Sequence, residues 1–140
     1  MGDSENDLQL LVGKEITAIY IGEYKLVFDT TTGKIAYTVE GDCCSHSYFY
    51  DFVGVNKLLQ NRKVVAVEDI KLEEVQSEDE WEDIKVYGYS ITTEDPKFGE
   101  VTSVLSFRNS SNGYYGGWMS EDSNIDTDGL CELLTDWVAD

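Results

Sequence analysis

The chain has 140 residues, 41% of them apolar, with nine Tyr, five Phe and three Trp; that is the length of one domain with enough large side chains for a packed core, and it excludes a compositionally disordered chain. Acidic residues number 28 against ten basic ones, a formal net charge of −18, which repels nucleic acid and anionic membranes and favours basic partners. No apolar run approaches the roughly 20 residues that a bilayer-spanning helix needs.

The first periodic segment is short. Residues 6–12 place Leu8, Leu11 and Val12 on one side of a helical turn that Gly13 ends. From Lys14 the period becomes two. KEITAIYI alternates Ile16, Ala18 and Tyr20 with Thr17, Ile19 and Ile21; YKLVFDT sets Tyr24, Leu26 and Phe28 on one face; KIAYTVE does the same with Ile35, Tyr37 and Val39. Three antiparallel strands joined by hairpins are expected, with Thr32-Gly33 as a tight turn.

Residues 49–60 read as a short helix, with Phe49, Phe52, Leu58 and Leu59 supplying its apolar side and Gly54 weakening it. RKVVAVEDIKLEE returns to strand period, with Val64, Ala66, Ile70 and Leu72 on one face. Residues 73–83 carry seven acids and no base, which reads as a loop between strands. DIKVYGYSITT and EVTSVLSFRN are two more strands around a turn at Glu94-Asp95-Pro96, and GYYGGWM adds a short edge strand. In residues 127–139 the apolar positions Leu130, Leu133, Leu134, Trp137 and Val138 follow i, i+3, i+4, i+7 and i+8, which predicts an amphipathic helix capped by Asp126 or Thr127. The expected fold is α+β: a single domain over residues 1–140, with an antiparallel sheet of five to seven strands, a short helix after strand 3 and the C-terminal helix packed on the sheet.

Two segments carry a family resemblance. Gly41-Asp42-Cys43-Cys44-Ser45 continues through Phe49-Tyr50-Asp51 to Gly54-Val55 and Leu58-Leu59, and the second runs from Phe107-Arg108-Asn109-Ser110-Ser111 through Asn112-Gly113-Tyr114-Tyr115 to Gly116-Gly117-Trp118. With Leu11-Val12-Gly13-Lys14 they resemble a family of small uncharacterised domains met mainly in bacteriophage genomes, over roughly residues 10–119. The resemblance implies a phage accessory protein and no particular chemistry.

Three sets of residues are candidates for function. The acids concentrate in the second half: residues 1–72 carry a net charge of −4 and residues 73–140 one of −14. Glu73, Glu74, Glu78, Asp79, Glu80, Glu82 and Asp83, with Trp81 as an apolar anchor and Asp122, Asp126 and Asp128 in support, form a candidate partner surface. Carboxylates there would stand where a basic, nucleic-acid-handling host protein expects phosphates. The second set is a loop rich in Asn, Ser, Gly and Tyr: Arg108, Asn109, Ser111, Asn112, Tyr114 and Tyr115 suit a small ligand such as a nucleotide, or equally a structural turn. The third is Cys44 with His46, the chain's one histidine, as a thiol nucleophile and base.

Cys43 and Cys44, if the strand continues through them, point to opposite faces, so neither a bond between them nor a structural zinc site is expected. The three cysteines are a poor disulfide framework, and the N-terminus lacks a signal-peptide pattern, which together point to the reducing cytoplasm of a host bacterium. The reading is a non-enzymatic, anti-defence type inhibitor, with no cofactor, no metal, no membrane and no direct nucleic-acid contact.

Overall fold

Alternation along β-branched and aromatic runs dominates this chain, and the structure pairs those runs into two sheets that face each other. In the computed structural model, residues 7–60, 63–72, 82–97, 99–111 and 116–139 are described. A 3-10 turn, Asp7–Leu11, is followed by β1 (Ile16–Ile21), β2 (Lys25–Thr30), β3 (Gly33–Gly41), β4 (His46–Val53), α1 (Val55–Leu58), β5 (Val64–Ile70), β6 (Asp83–Asp95), β7 (Gly99–Ser111), β8 (Gly117–Asp122), β9 (Cys131–Glu132) and β10 (Trp137–Val138). One five-stranded sheet has the order β8-β3-β2-β1-β9 and the other β10-β4-β7-β6-β5, with antiparallel pairing throughout.

The inner faces make one core. Ile19, Leu26, Phe28 and Tyr37 from the first sheet meet Phe49, Phe52, Ile91, Leu105 and Phe107 from the second, and Leu8 and Leu11 of the 3-10 turn join them. Phe28 and Phe52 touch edge to face across the sheets, with centroids 6.2 Å apart, an arrangement that aromatic quadrupoles favour. Gly13 ends the 3-10 turn at a φ of 88°, as expected of a left-handed stop.

The expected α+β architecture is therefore corrected to a β-sandwich with one single-turn helix among the described residues. The helix expected over 49–60 shrinks to α1, and Phe49 and Phe52 belong to β4. Their spacing of three is the signature of a bulge at Tyr50, where the β4–β7 register shifts. One extra residue carries the next side chain back to the same face. Two other bulges act alike: the shift between Ile16 and Ala18 brings both Ile16 and Ile19 inward, and that between Val64 and Ala66 does so for Val64 and Val67.

The C-terminal helix is likewise absent. Residues 131–138 form two short strands with a bend between them and run from the edge of one sheet to the edge of the other: β9 pairs with β1, and β10 pairs with β4. Leu133 N–H donates to Ile19 C=O at 2.8 Å and Ala139 N–H to Tyr50 C=O at 2.7 Å. Two sheet edges offer unpaired backbone groups, and this segment satisfies them while closing the sandwich. Leu133 alone of the five helical-period positions is fully inside; Leu134 and Val138 stand 71% and 57% exposed.

Candidate functional site

The two segments that carry the family resemblance meet at one corner of the sandwich. There the end of β3 and the start of β4 lie beside the start of β8 and the end of β7. Gly41 pairs with Gly117 in the first sheet, and His46 with Ser110 in the second. Asp42 N–H donates to Gly116 C=O at 3.1 Å. Asn109 is fully buried beneath the corner, and its amide donates to Ser47 Oγ at 2.9 Å and Ser45 Oγ at 3.1 Å. Ser47 Oγ in turn donates to Glu40 C=O at 2.8 Å. The glycines are required by space: a Cβ on Gly117 would lie 2.2 Å from Ser47 Oγ, and one on Gly41 would lie 2.4 Å from Ser45 Oγ.

The structure separates the proposed ligand loop into unlike positions. Asn109 and Ser111 face inward and are buried. Arg108, one step out of phase on the same strand, is half-buried on the other face, its guanidinium 3.3 Å over the Tyr50 ring. Asn112, Tyr114 and Tyr115 fall outside the described residues.

Of the acidic set, Glu73, Glu74, Glu78, Asp79, Glu80 and Trp81 also lie outside the described residues. Glu82 is exposed and accepts a hydrogen bond from the Ser110 hydroxyl. Asp83 opens β6 opposite Ser111. Asp122 ends β8 opposite Ala36. The segment after it is a chain of tight turns: Asp122 accepts from Asn124 N–H, Asn124 from Asp126 N–H and Asp126 from Asp128 N–H, each at 2.9 Å. Their short polar side chains are thus used to shape the backbone.

Cys43 and Cys44 are not on a strand. β3 stops at Gly41, and residues 42–45 form a turn in which Ser45 N–H donates to Asp42 C=O at 3.0 Å. Cys44 sits at a φ of 72°, and the two sulfurs converge to 3.0 Å instead of diverging. All three cysteines are free and exposed. The hydrogen bond and charge of Cys43, with some loss of hydration, push the Cys44 thiol up. His46 is engaged elsewhere: its Nε2 is 3.1 Å from Tyr24 Oη and 3.4 Å from the Glu23 carboxylate, and its ring packs between Tyr24 and Tyr48. Among the described residues, no group of three His, Cys, Asp or Glu side chains is placed to hold a metal ion.

That His46 cluster lines a cleft the sequence did not suggest. Where the β9–β10 segment crosses from sheet to sheet it leaves an open recess of about 710 Å³, bounded by Glu23, His46, Tyr48, Tyr50, Cys131 and Trp137. Its lining thus combines aromatic rings with one carboxylate. Loss of hydration, then the Glu23 charge and hydrogen bond, hold the neighbouring Tyr24 phenol above its ordinary value. A second recess of about 760 Å³, lined by Glu15, Lys63, Glu94 and Pro96 among others, lies near the backbone β-bridge between Glu15 and Lys63; it has no comparable aromatic lining. The alternation of Tyr48 and Tyr50 outside with Phe49 inside was the available signal, and a helical reading of 49–60 hid it.

Residues 9–120 match a domain of unknown function, DUF7448. The chain belongs to that family. An uncharacterised protein of Acanthamoeba polyphaga mimivirus is 32% identical over 125 residues, covering 82% of this chain and 92% of its own length. No solved structure matches. The matched stretch of the DUF7448 domain contains the corner residues Gly41, Ser47, Asn109 and Gly117 and the Glu23, His46, Tyr48 and Tyr50 side of the cleft; Cys131 and Trp137 lie beyond it. Among the described residues no helix is long and apolar enough to cross a membrane.

Proposed function

We propose that this DUF7448 protein is a non-enzymatic viral accessory protein that binds the basic, nucleic-acid-contacting surface of a host protein. The observation that carries the reading is the charge: ten basic side chains cannot pair with 28 acids, so at least 18 carboxylates have no cation of the chain to neutralise them one to one. A cationic groove evolved for phosphates supplies that neutralisation, and it attracts such a surface over a Debye length of about 8–10 Å at moderate salt. The cleft gives the surface an anchor. Tyr48 and Trp137, which line it together with Glu23, suit an incoming guanidinium or ammonium group, held by ring faces and one carboxylate. Arg108 over Tyr50 is the same contact made within the chain. In a phage, the fitting partner is a defence nuclease in the bacterial cytoplasm.

The cleft's size and ring lining also favour a second reading, capture of a small planar ligand such as a nucleotide. The Cys44 and His46 enzyme reading gains nothing, because the partners of those side chains are Cys43 in one case and Glu23, Tyr24 and Tyr48 in the other. The test is host lysate passed over the immobilised protein at low salt, followed by elution with duplex DNA. Retention of nucleic-acid enzymes that DNA displaces and salt weakens is expected. Retention that ignores both DNA and salt would overturn the proposal and favour the small-ligand reading.

A further inference from the structure

We propose that Cys43 and Cys44 form an accessible dithiol that closes, by exchange with a small-molecule disulfide, into a disulfide between adjacent residues at the corner of the sandwich. Three observations carry it. The sulfurs are 3.0 Å apart and both residues are exposed, so a small reagent reaches either one and finds the second already in place. The turn that presents them is held at both ends. Ser45 binds Asp42 C=O through its N–H at 3.0 Å and its hydroxyl at 2.7 Å, while Asp42 N–H donates to Gly116 C=O at 3.1 Å. Cys44 is the one non-glycine among the described residues with a positive φ, 72°, a conformation disfavoured for an L residue. That backbone swings its side chain back beside that of Cys43, where an extended strand would send the two apart.

The chemistry balances without a metal. A thiolate of the pair attacks one sulfur of a glutathione-type disulfide; that S–S bond breaks, one small thiolate leaves and takes a proton, and a mixed disulfide forms. The neighbouring cysteine then loses its proton and attacks the bound protein sulfur. A second small thiol leaves and the Cys43–Cys44 bond remains. The pair is oxidised by two electrons and the small disulfide is reduced to two thiols. The second step is intramolecular, so it outruns resolution by solution thiols.

The folded protein is incubated with oxidised glutathione and its peptides are mass-mapped. The expected result is a Cys43–Cys44 peptide lighter by two hydrogens with no adduct, beside a Cys131 peptide that carries one glutathione. Cys43→Ser and Cys44→Ser should each trap glutathione on the remaining cysteine. A wild-type Cys43–Cys44 peptide that keeps a stable adduct, links to Cys131 or to a second chain, or stays unreacted while Cys131 reacts, overturns the proposal. That reading needs no substituted protein to fold.

Discussion

Asp136 and Gly54 stand 82 positions apart in the chain and are joined by a 2.8 Å hydrogen bond from the Gly54 N–H to the Asp136 carboxylate. Val55 N–H donates to the same oxygen at 3.2 Å. Both are backbone donors at the start of α1 that no helical carbonyl can satisfy. A residue from the segment expected to be a helix therefore caps a different helix. Asp136→Ala should cost about 0.5–2 kcal/mol, and Asp136→Asn less, since an amide oxygen still accepts. Urea unfolding measures both; equal stability of all three proteins would mean that the 131–138 crossing is not docked there.

Alanine substitutions along that crossing separate a strand from a helix. Leu133 is 4% exposed and Leu134 71%. Leu133→Ala should cost about 2–5 kcal/mol, and Leu134→Ala should stay within about 0.5 kcal/mol of the parent. An amphipathic helix would need both. Trp137 packs half-buried against the core on an edge strand, so its truncation should fall below the roughly 3–5 kcal/mol of a fully buried Trp. Similar losses at Leu133 and Leu134 in thermal melts would restore the helix.

The corner should behave as a coupled unit. Gly117→Ala drives a Cβ toward Ser47 Oγ and the Glu40 carbonyl, at an expected cost of about 1–3 kcal/mol. Asn109→Ala removes the donor to Ser45 and Ser47 and should cost about 1–3 kcal/mol. Adding Ser47→Ala to Gly117→Ala should recover part of the loss, because the clashing hydroxyl is gone. Strict additivity in the double mutant would show that the steric argument is wrong.

The Tyr24 phenol offers a pH test. Lost hydration comes first and Glu23 second in holding it above its ordinary value of 10.0. A raised folded value means that the native state keeps the proton longer than the unfolded chain does. The associated stability is complete below the unfolded value and is lost as pH rises through the folded one. In an alkaline absorbance titration, the Tyr24→Phe difference should reveal a phenol that ionises late. Glu23→Gln should bring it only partway back, since the hydration cause remains. A Tyr24 that titrates at its ordinary value in both proteins rules this environment out.

The period-two runs of β1, β2 and β3, the hairpin of β6 and β7 and the Gly13 stop were legible in the residues, because alternation and turn chemistry are local; the edge strand expected over 113–119 shares only residues 117–119 with β8. The size of the charge was legible too, being a count. What tertiary structure decided begins at the bulges. Ile16 with Ile19, Phe49 with Phe52, and Val64 with Val67 share a face only because a partner strand skips one residue, and a spacing of three on paper belongs equally to a helix. The same ambiguity held over Leu130 to Val138, where the free edges of β1 and β4 offered backbone hydrogen bonds that one helix could not match. Gly41, Ser47, Asn109 and Gly117 are ordinary turn and strand residues until β3 pairs with β8 and β4 with β7 at one corner. Glu23, Tyr48 and Trp137 become a cleft only when the chain's end returns to cover its beginning. Local preference acts over a few residues; edges, bulge partners and corners are set by segments tens of positions away.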